Sequence, residues 1–249
     1  MDFEAQAAIE ANIITDEQLQ DFYAEIEQIP APRASITGQG TRLLFEYMED
    51  TGGRITETLF TQKKDLNFLT RIWTVTHPKA EQRCKCSTWR YIDMRTRKMV
   101  LDTVDKNCPT CKGKGRWKKP QRTTFTPRIV DRLQDYVKDL KDEDYLFDVH
   151  RYTVWRWAKE AGKRAGINIF QQKDEKIIYG VFPHLFRALC SKRMIRDAKD
   201  NPYRDELLAT KRRDAARTGF VADRYTKIDI MYLIRWENQT YRVSAQSLQ

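Results

Sequence analysis

Residues 51–59 read TGGRITETL, and this short stretch contains the end of one predicted helix and the start of the next. Residues 41–50, just before it, carry apolar side chains at helical spacing, which predicts a helix. Gly52 and Gly53 are expected to end that helix, because glycine tolerates backbone conformations that other residues avoid. Arg54 then begins a second predicted helix over residues 54–59. The pattern therefore places an arginine directly after a glycine turn, at a helix start.

Two later segments carry side chains of matching chemistry. Residues 183–187 read PHLFR, and residues 221–228 read VADRYTKI. His184 and Arg187 are three residues apart, so a helix places them on one face. Tyr225 lies near the C-terminus among basic residues. Together with Arg54, these residues form a candidate set of two arginines, one histidine and one tyrosine.

This set suits attack on a DNA phosphodiester. Two arginines can hold the non-bridging oxygens through forked hydrogen bonds and stabilise the charge that develops on phosphorus. A lysine or histidine can protonate the departing 5′ oxygen. A tyrosine oxygen can be the nucleophile, although its ordinary pKa of about 10 requires cationic groups nearby. The residue types therefore predict phosphoryl transfer through a covalent phosphotyrosine, without a catalytic metal.

In this order the segments resemble the tyrosine recombinase (phage integrase) family. Its members carry an Arg in a TGLRISEL-like segment, a Lys in a β-hairpin, an HxLR box, a later His or Trp, and a terminal Tyr. The resemblance covers about residues 13–235 and implies that Arg54, His184 and Arg187 are catalytic, with Tyr225 as the nucleophile. Glu57 falls where the family has its acidic residue.

The family's lysine lies in the hairpin. Aligning IWTVTHPKAEQR with the hairpin places Lys79 there as the general acid. Lys118 and Lys119 are the alternatives.

The chain departs from the family pattern in two places. Before Tyr225 it has LLATKRRDAARTGF, without the usual His or Trp. Arg217, Arg213 and Lys211 are the alternatives for that phosphate contact, with Arg217 as the first candidate. Few residues precede the first matched helix, so we expect a single catalytic domain over residues 1–249. A separate core-binding domain is not expected; either the recombinase is minimal or another chain completes the grip on DNA.

The apolar patterns predict a mostly helical α+β fold. Thr15, followed by acidic residues, indicates a helix N-cap. Pro127 and Pro183 each begin a predicted helix, and Gly166 ends another. The predicted helices cover residues 15–26, 41–50, 54–59, 127–140, 150–165, 183–196 and about 206–234, the last with a break at 218–219. Residues 29–40 are predicted to be a loop, and residues 72–76 and 121–126 to be two paired strands.

Composition supports a folded, nucleic-acid-binding protein. Apolar residues make up 41% of the 249, and the net charge is +10. That charge favours a polyanion, usually DNA or RNA, and the resemblance implies double-stranded DNA. No apolar run is long enough to span a bilayer, and the N-terminus lacks signal-peptide features. We therefore expect a cytoplasmic protein that does not act at a membrane.

Four of the five cysteines are clustered in a segment that interrupts the predicted hairpin, residues 80–118. Cys84 and Cys86 precede Cys108 and Cys111, two close pairs that can supply four thiolates to a tetrahedral zinc ion. The residues between the pairs alternate enough to form a small hairpin. The pattern predicts a zinc-ribbon-like insertion whose metal is structural.

The resemblance implies a site-specific recombinase or integrase, of the kind found in mobile elements and viruses, acting as a tetramer on DNA. Two other hypotheses remain open: a catalytically weakened DNA-binding relative, and a zinc-ribbon nucleic-acid adaptor.

Overall fold

The computed structural model describes residues 14–29, 36, 38–78, 82–93, 98–117, 120–167, 170–173, 176–213 and 230–246. In these ranges the chain is mostly helical, with short antiparallel strands, which confirms the predicted α+β class. The helices are α1 (Asp16–Glu27), α2 (Gln39–Thr51), α3 (Ile55–Leu59), α4 (Pro127–Val137), α5 (Arg151–Arg164), α6 (Pro183–Asp197), α7 (Arg204–Arg212) and α8 (Ile230–Gln246). The helices in these ranges include none that is both long and apolar enough to cross a bilayer.

The first helix begins where its sequence signal predicts. The Thr15 side chain accepts a hydrogen bond from the backbone of Gln18, and the Gln18 side chain accepts one from the backbone of Thr15 in return. This capping box satisfies two N–H groups that the helix itself cannot bond. Leu19, Phe22 and Ile26 then face the interior.

Aromatic side chains join the helices of the main core. Phe22 of α1, Phe45 of α2 and Phe186 of α6 meet with ring centroids 4.9–5.3 Å apart. Each such pair contributes about 0.5–1.5 kcal/mol beyond the burial of its area. A second, smaller core lies where α6, α7 and α8 meet, around Leu207 and Leu233.

The main sheet has three antiparallel strands in the order β1-β2-β7 (β1 Leu66–Asn67, β2 Ile72–Val75, β7 Gln121–Thr124). In the β2–β7 pair, Trp73 is opposite Thr123 and Val75 opposite Gln121. The two strands predicted to pair therefore do so. Trp73 is buried and packs on Tyr47 with ring centroids 5.1 Å apart, which anchors the sheet to α2.

The cysteine-bearing segment is inserted between β2 and β7. It contains two short ladders of its own, β3–β6 and the longer hairpin β4–β5. These strands are β3 (Gln82–Arg83), β4 (Ser87–Asp93), β5 (Lys98–Val104) and β6 (Arg116–Trp117). The hairpin predicted between the cysteine pairs is therefore present.

Buried ion pairs hold the C-terminal helix and the sheet together. The ammonium of Lys211 donates to the Thr124 carbonyl (3.0 Å), the Thr124 hydroxyl (3.1 Å) and Glu237 Oε1 (2.7 Å). Lys211 and Glu237 are 0% and 1% exposed. Arg71 donates to Asn238 of the same helix at 2.9 Å. Because each charge has a partner, the desolvation cost of burying it is offset, and α8 is fixed against β7.

Some element boundaries differ from those predicted. The last predicted helix, residues 206–234, begins earlier, at Arg204, and stops at Arg212, because Arg213 adopts a left-handed conformation with φ 58°. The break predicted at residues 218–219 lies outside the described residues. A hairpin of β8 (Phe170–Lys173) and β9 (Lys176–Tyr179) was not predicted, since its two four-residue strands, FQQK and KIIY, lack regular alternation of apolar and polar residues.

Candidate active site

Two glycines shape the loop that presents Arg54. Gly52 has φ 62°, a left-handed conformation that glycine adopts without steric cost, and it ends α2. At Gly53 a Cβ atom would lie 2.8 Å from the Thr58 hydroxyl and 3.0 Å from the Trp73 ring. No larger residue fits there without displacing Trp73. The TGG sequence is therefore required by the turn and by close packing.

Arg54 begins α3 and is held by Glu57. The Glu57 carboxylate accepts a hydrogen bond from the Arg54 backbone N–H (3.0 Å) and another from its guanidinium (2.8 Å). The Arg54 side chain is 23% exposed, whereas that of Glu57 is 1% exposed. The guanidinium of Arg54 therefore remains partly exposed to solvent, while the buried carboxylate of Glu57 fixes its orientation.

Glu57 also binds a second arginine. Its Oε2 atom accepts from the guanidinium of Arg213 at 2.7 Å, and both side chains are buried. Burial opposes ionisation of Glu57, but Arg213 and then Arg54 lower its pKa below the ordinary value. One carboxylate thus links the loop after α2 to the end of α7.

The conformation of Arg213 brings its side chain to this carboxylate. Its guanidinium lies 5.1 Å from the centroid of the Trp73 ring, a cation–π contact that places it under the Gly53 turn. Burial lowers the pKa of Arg213, and Glu57 opposes that effect.

Arg187 joins the same region from α6. Its guanidinium donates to the carbonyl oxygen of Gly52, 135 residues away in sequence, and to the carbonyl of Arg212 at 2.7 Å. Arg187 is 1% exposed. It therefore lies beside the Gly52 turn that precedes Arg54, so the structure brings the two predicted arginines to one loop. His184, on the first turn of α6, is exposed.

The remaining predicted catalytic residues lie outside the described residues. They are Lys79, its alternatives Lys118 and Lys119, Arg217 and Tyr225. Of the alternatives to Arg217, Lys211 gives all three of its ammonium bonds to Thr124 and Glu237, so its role here is structural. Arg213 binds Glu57 instead.

The interior charge network was not predicted from the sequence. The Lys211–Glu237 pair and the link from Glu57 to Arg213 join residues far apart in the chain. A partial signal for Glu237 exists: it lies four residues after Leu233 and three after Ile234, so a helix places it on the same face as these buried apolar residues. No local pattern identifies its partner.

The four clustered cysteines converge as predicted. Their sulfur atoms all lie within 4.8 Å of one another. Cys84 and Cys108 Sγ are 3.6 Å apart, and Cys86 and Cys111 Sγ are 3.4 Å apart, too far for a disulfide. A tetrahedral site with about 2.3 Å Zn–S bonds separates its sulfurs by about 3.8 Å, so the cluster fits zinc closely.

The backbone around the cluster is shaped for thiolates. Lys112 has φ 49° and Gly113 φ 78°, which folds the chain tightly after Cys111. The N–H of Gly115 donates to Cys111 Sγ at 3.3 Å. The backbone N–H groups of Cys111 and Thr110 lower the pKa of the Cys108 thiol to about 6. Such a site is able to take a soft divalent cation, and its four ligands leave no open position.

A second surface feature is an open groove of about 730 Å³ along α5. Its exposed side chains are mainly basic and aromatic, with Glu160 at the edge. The groove is lined by His150, Arg151, Tyr152, Trp155, Arg156, Lys159, Glu160 and Lys163.

The chain is similar in structure to tyrosine recombinases and integrases. The Tn1549 transposon integrase in complex with transposon right-end DNA matches 94% of this chain and 64% of its own, with a TM-score of 0.46 and 15% identity. The XerA recombinase matches 95% and 63%, with a TM-score of 0.47 and 14% identity. The XerH site-specific recombinase bound to difH substrate matches 95% and 52%, with a TM-score of 0.40 and 15% identity. The chain thus spans less than two thirds of the length of each. No family model and no curated protein matches the sequence.

Proposed function

We propose that this chain is a site-specific DNA recombinase or integrase of the tyrosine recombinase class. In this proposal Tyr225 is the nucleophile that forms a 3′-phosphotyrosine intermediate. The observation that carries it is the convergence of two distant boxes: Arg187 of the HLFR box hydrogen-bonds the Gly52 carbonyl, two residues before Arg54 of the TGGR box. If the two motifs matched the family by chance, there would be no reason for them to lie in contact in the folded chain.

The two arginines supply the electrophilic half of the site. Arg54 and Arg187 would bind the non-bridging oxygens of the scissile phosphate and stabilise the charge that forms there. Glu57 and Arg213 are positioning residues in this scheme. The buried carboxylate sets the direction of the Arg54 guanidinium, and Arg213 keeps that carboxylate ionised.

The proton transfers balance across the two steps. The Tyr225 oxygen bonds to phosphorus as the bond to the 5′ oxygen breaks, and Lys79 protonates that leaving oxygen, with Lys118 and Lys119 as alternatives. His184 assists removal of the tyrosine proton, and Arg217 supplies a further hydrogen bond to the phosphate. A 5′ hydroxyl of the exchanging strand then attacks phosphorus and releases the tyrosine, so no external energy is needed.

Double-stranded DNA is the proposed partner, and a tetramer the proposed working assembly. The groove along α5 supports DNA binding, because Arg151, Arg156, Lys159 and Lys163 lie on one helix beside exposed Tyr152. Regularly spaced cations of this kind suit a phosphate backbone.

Structural zinc is the proposed ligand of Cys84, Cys86, Cys108 and Cys111. The fit of the sulfur distances supports it. Zinc would crosslink the two ends of the insertion and take no part in strand cleavage.

The proposal is tested by trapping the covalent intermediate. We expect wild-type protein to form an adduct, stable in denaturing gels, with a pool of nicked duplexes of randomised sequence. Tyr225→Phe removes the attacking oxygen and should abolish the adduct. Tyr203→Phe, at a tyrosine that is exposed at the N-cap position of α7, is the matched control and should retain it. An adduct that survives Tyr225→Phe contradicts the assignment of the nucleophile.

A catalytically weakened DNA-binding relative is the second candidate. It is favoured by the burial of Arg187, which is 1% exposed and bonded to two backbone carbonyls. This candidate predicts DNA binding with strong salt dependence and no adduct in any variant.

A further inference from the structure

The positive charge of the chain is concentrated in the cysteine-bearing insertion. Residues 80–118 contain 11 Lys and Arg against four Asp and Glu, a net charge of +7 of the total +10. The remaining 210 residues hold 34 basic and 31 acidic side chains, a net charge of only +3. A zinc ion with four thiolates would add about −2, so the insertion stays strongly positive. Long-range attraction for a polyanion therefore resides mainly in this segment.

The lysines next to the four clustered cysteines are exposed to solvent. Lys85, Lys106, Lys112 and Lys114 are all exposed, and each lies within three residues of a cysteine of the cluster. Within the described ranges no ion pair joins any of them to an acidic side chain. Exposed lysines that make no ion pair among the described residues are accessible to an external phosphate. The turn at Lys112 and Gly113, with φ of 49° and 78°, folds the chain back beside the cysteines between Lys112 and Lys114.

The insertion leaves the fold next to the candidate active site. It starts after β2 and returns into β7, and these strands pair at Val75 and Gln121. Trp73, two residues earlier on β2, lies under Gly53 and Arg213. The strand that supports the catalytic arginine turn thus also carries the insertion.

We propose that the insertion is a metal-organised DNA-binding arm, which contacts the phosphate backbone of duplex DNA close to the cleaved bond. It rests on the proposed recombinase function and adds to it the surface that holds the substrate. The occupant is duplex DNA because the arm is basic, its described lysines are exposed, and it is joined to the sheet beneath a site proposed for phosphodiester chemistry. The four-cysteine cluster keeps the lysines in a fixed arrangement, so binding depends on the metal as well as on charge.

The test compares two triple variants of the full chain. One variant replaces Lys85, Lys106 and Lys114 with Gln. The matched control replaces three exposed lysines outside the insertion, Lys138, Lys141 and Lys199, with Gln. Both change the net charge equally. Binding to a labelled duplex of arbitrary sequence is measured by anisotropy over a range of salt concentrations, and zinc content is measured on each protein.

We expect the insertion variant to bind about a hundredfold more weakly at ~0.15 M salt, because each lost phosphate contact weakens binding roughly fivefold there. The slope of log K against log salt should fall by about three. The control should match wild type in both. Chelation of the metal from wild-type protein should weaken binding as the triple variant does.

Equal affinities and slopes for the two variants, with zinc content unchanged, would overturn the proposal. Tighter binding to single-stranded RNA or to anionic vesicles than to duplex DNA would overturn it as well. The adduct assay separates this outcome from failure of the recombinase proposal. If wild type and both triple variants form the adduct equally and bind DNA equally, the DNA-binding arm is refuted but the recombinase proposal is not. If the insertion variant loses salt-dependent DNA binding and no protein forms an adduct, only the cleavage chemistry is refuted.

Discussion

Replacing Glu57 with Gln tests whether one buried carboxylate organises the candidate site. The change keeps the size of the side chain but removes the charge shared by Arg54 and Arg213. Removing one partner of a buried pair generally costs about 3–5 kcal/mol. The amide oxygen of the substituted side chain would still accept from the Arg54 backbone, and Arg54 is partly solvated, so its share is small. We therefore expect a loss of about 3 kcal/mol in the free energy of unfolding, mostly from the unpaired Arg213.

The measurement is urea unfolding at neutral pH, followed by circular dichroism. For a chain of this size the melting temperature should also fall by about 6–12 °C. Glu160→Gln is the matched control, because Glu160 pairs with Arg164 on the surface of α5 and should cost under about 0.5 kcal/mol. Adding Arg213→Met to Glu57→Gln should cost less than the sum of the single changes, since no unpaired charge remains. A loss from Glu57→Gln no larger than that of the control would refute the reasoning.

Further predictions concern the same interior. Lys211→Met should destabilise by about 3–5 kcal/mol, because it removes the cation nearest to the buried carboxylate of Glu237; the double variant with Glu237→Met should recover part of this loss in urea unfolding, since Arg71 would then lose the same carboxylate. Gly53→Ala should cost about 1–3 kcal/mol, since its methyl group would press on Trp73, and thermal melting measures it. Glu57 ionises below its ordinary pKa of 4.5, so the stability it contributes should be full above pH 4.5 and be lost as pH falls further. Acid titration of Glu57→Gln should accordingly show a smaller loss below pH 4.5 than wild type does. Metal chelation should unfold the four-cysteine cluster and leave the helical signal nearly unchanged, as near- and far-ultraviolet dichroism would report.

Local signals predicted the helices well. The Thr15 capping box, Pro127, Pro183 and the Gly52 turn each mark an element end by the chemistry of one or two residues. The end of α7 was not predicted, because Arg213 adopts a left-handed backbone conformation that is normally found at glycine. Its pairing with buried Glu57 stabilises that conformation, and this partner is 156 residues away.

The candidate site divides in the same way. The TGGR and HLFR motifs predict Arg54 and Arg187 as site residues. Only the tertiary structure shows that Arg187 binds the Gly52 carbonyl, next to the turn that carries Arg54. His184 and Arg187 share helical spacing, yet one is exposed and the other buried, since the packing of α6 rather than its periodicity sets exposure.

The sequence by itself determined most of the helices and the central strand pair, the TGGR and HLFR boxes, the clustering of four cysteines and the basic character of the chain. Each depends on residue type and short-range spacing, which are local properties. Only the tertiary structure decided that Glu57 bridges Arg54 and Arg213, and that Lys211 anchors α8 through Glu237. Those contacts join distant segments, and burial makes them strong by excluding water, so their partners depend on how the whole chain packs.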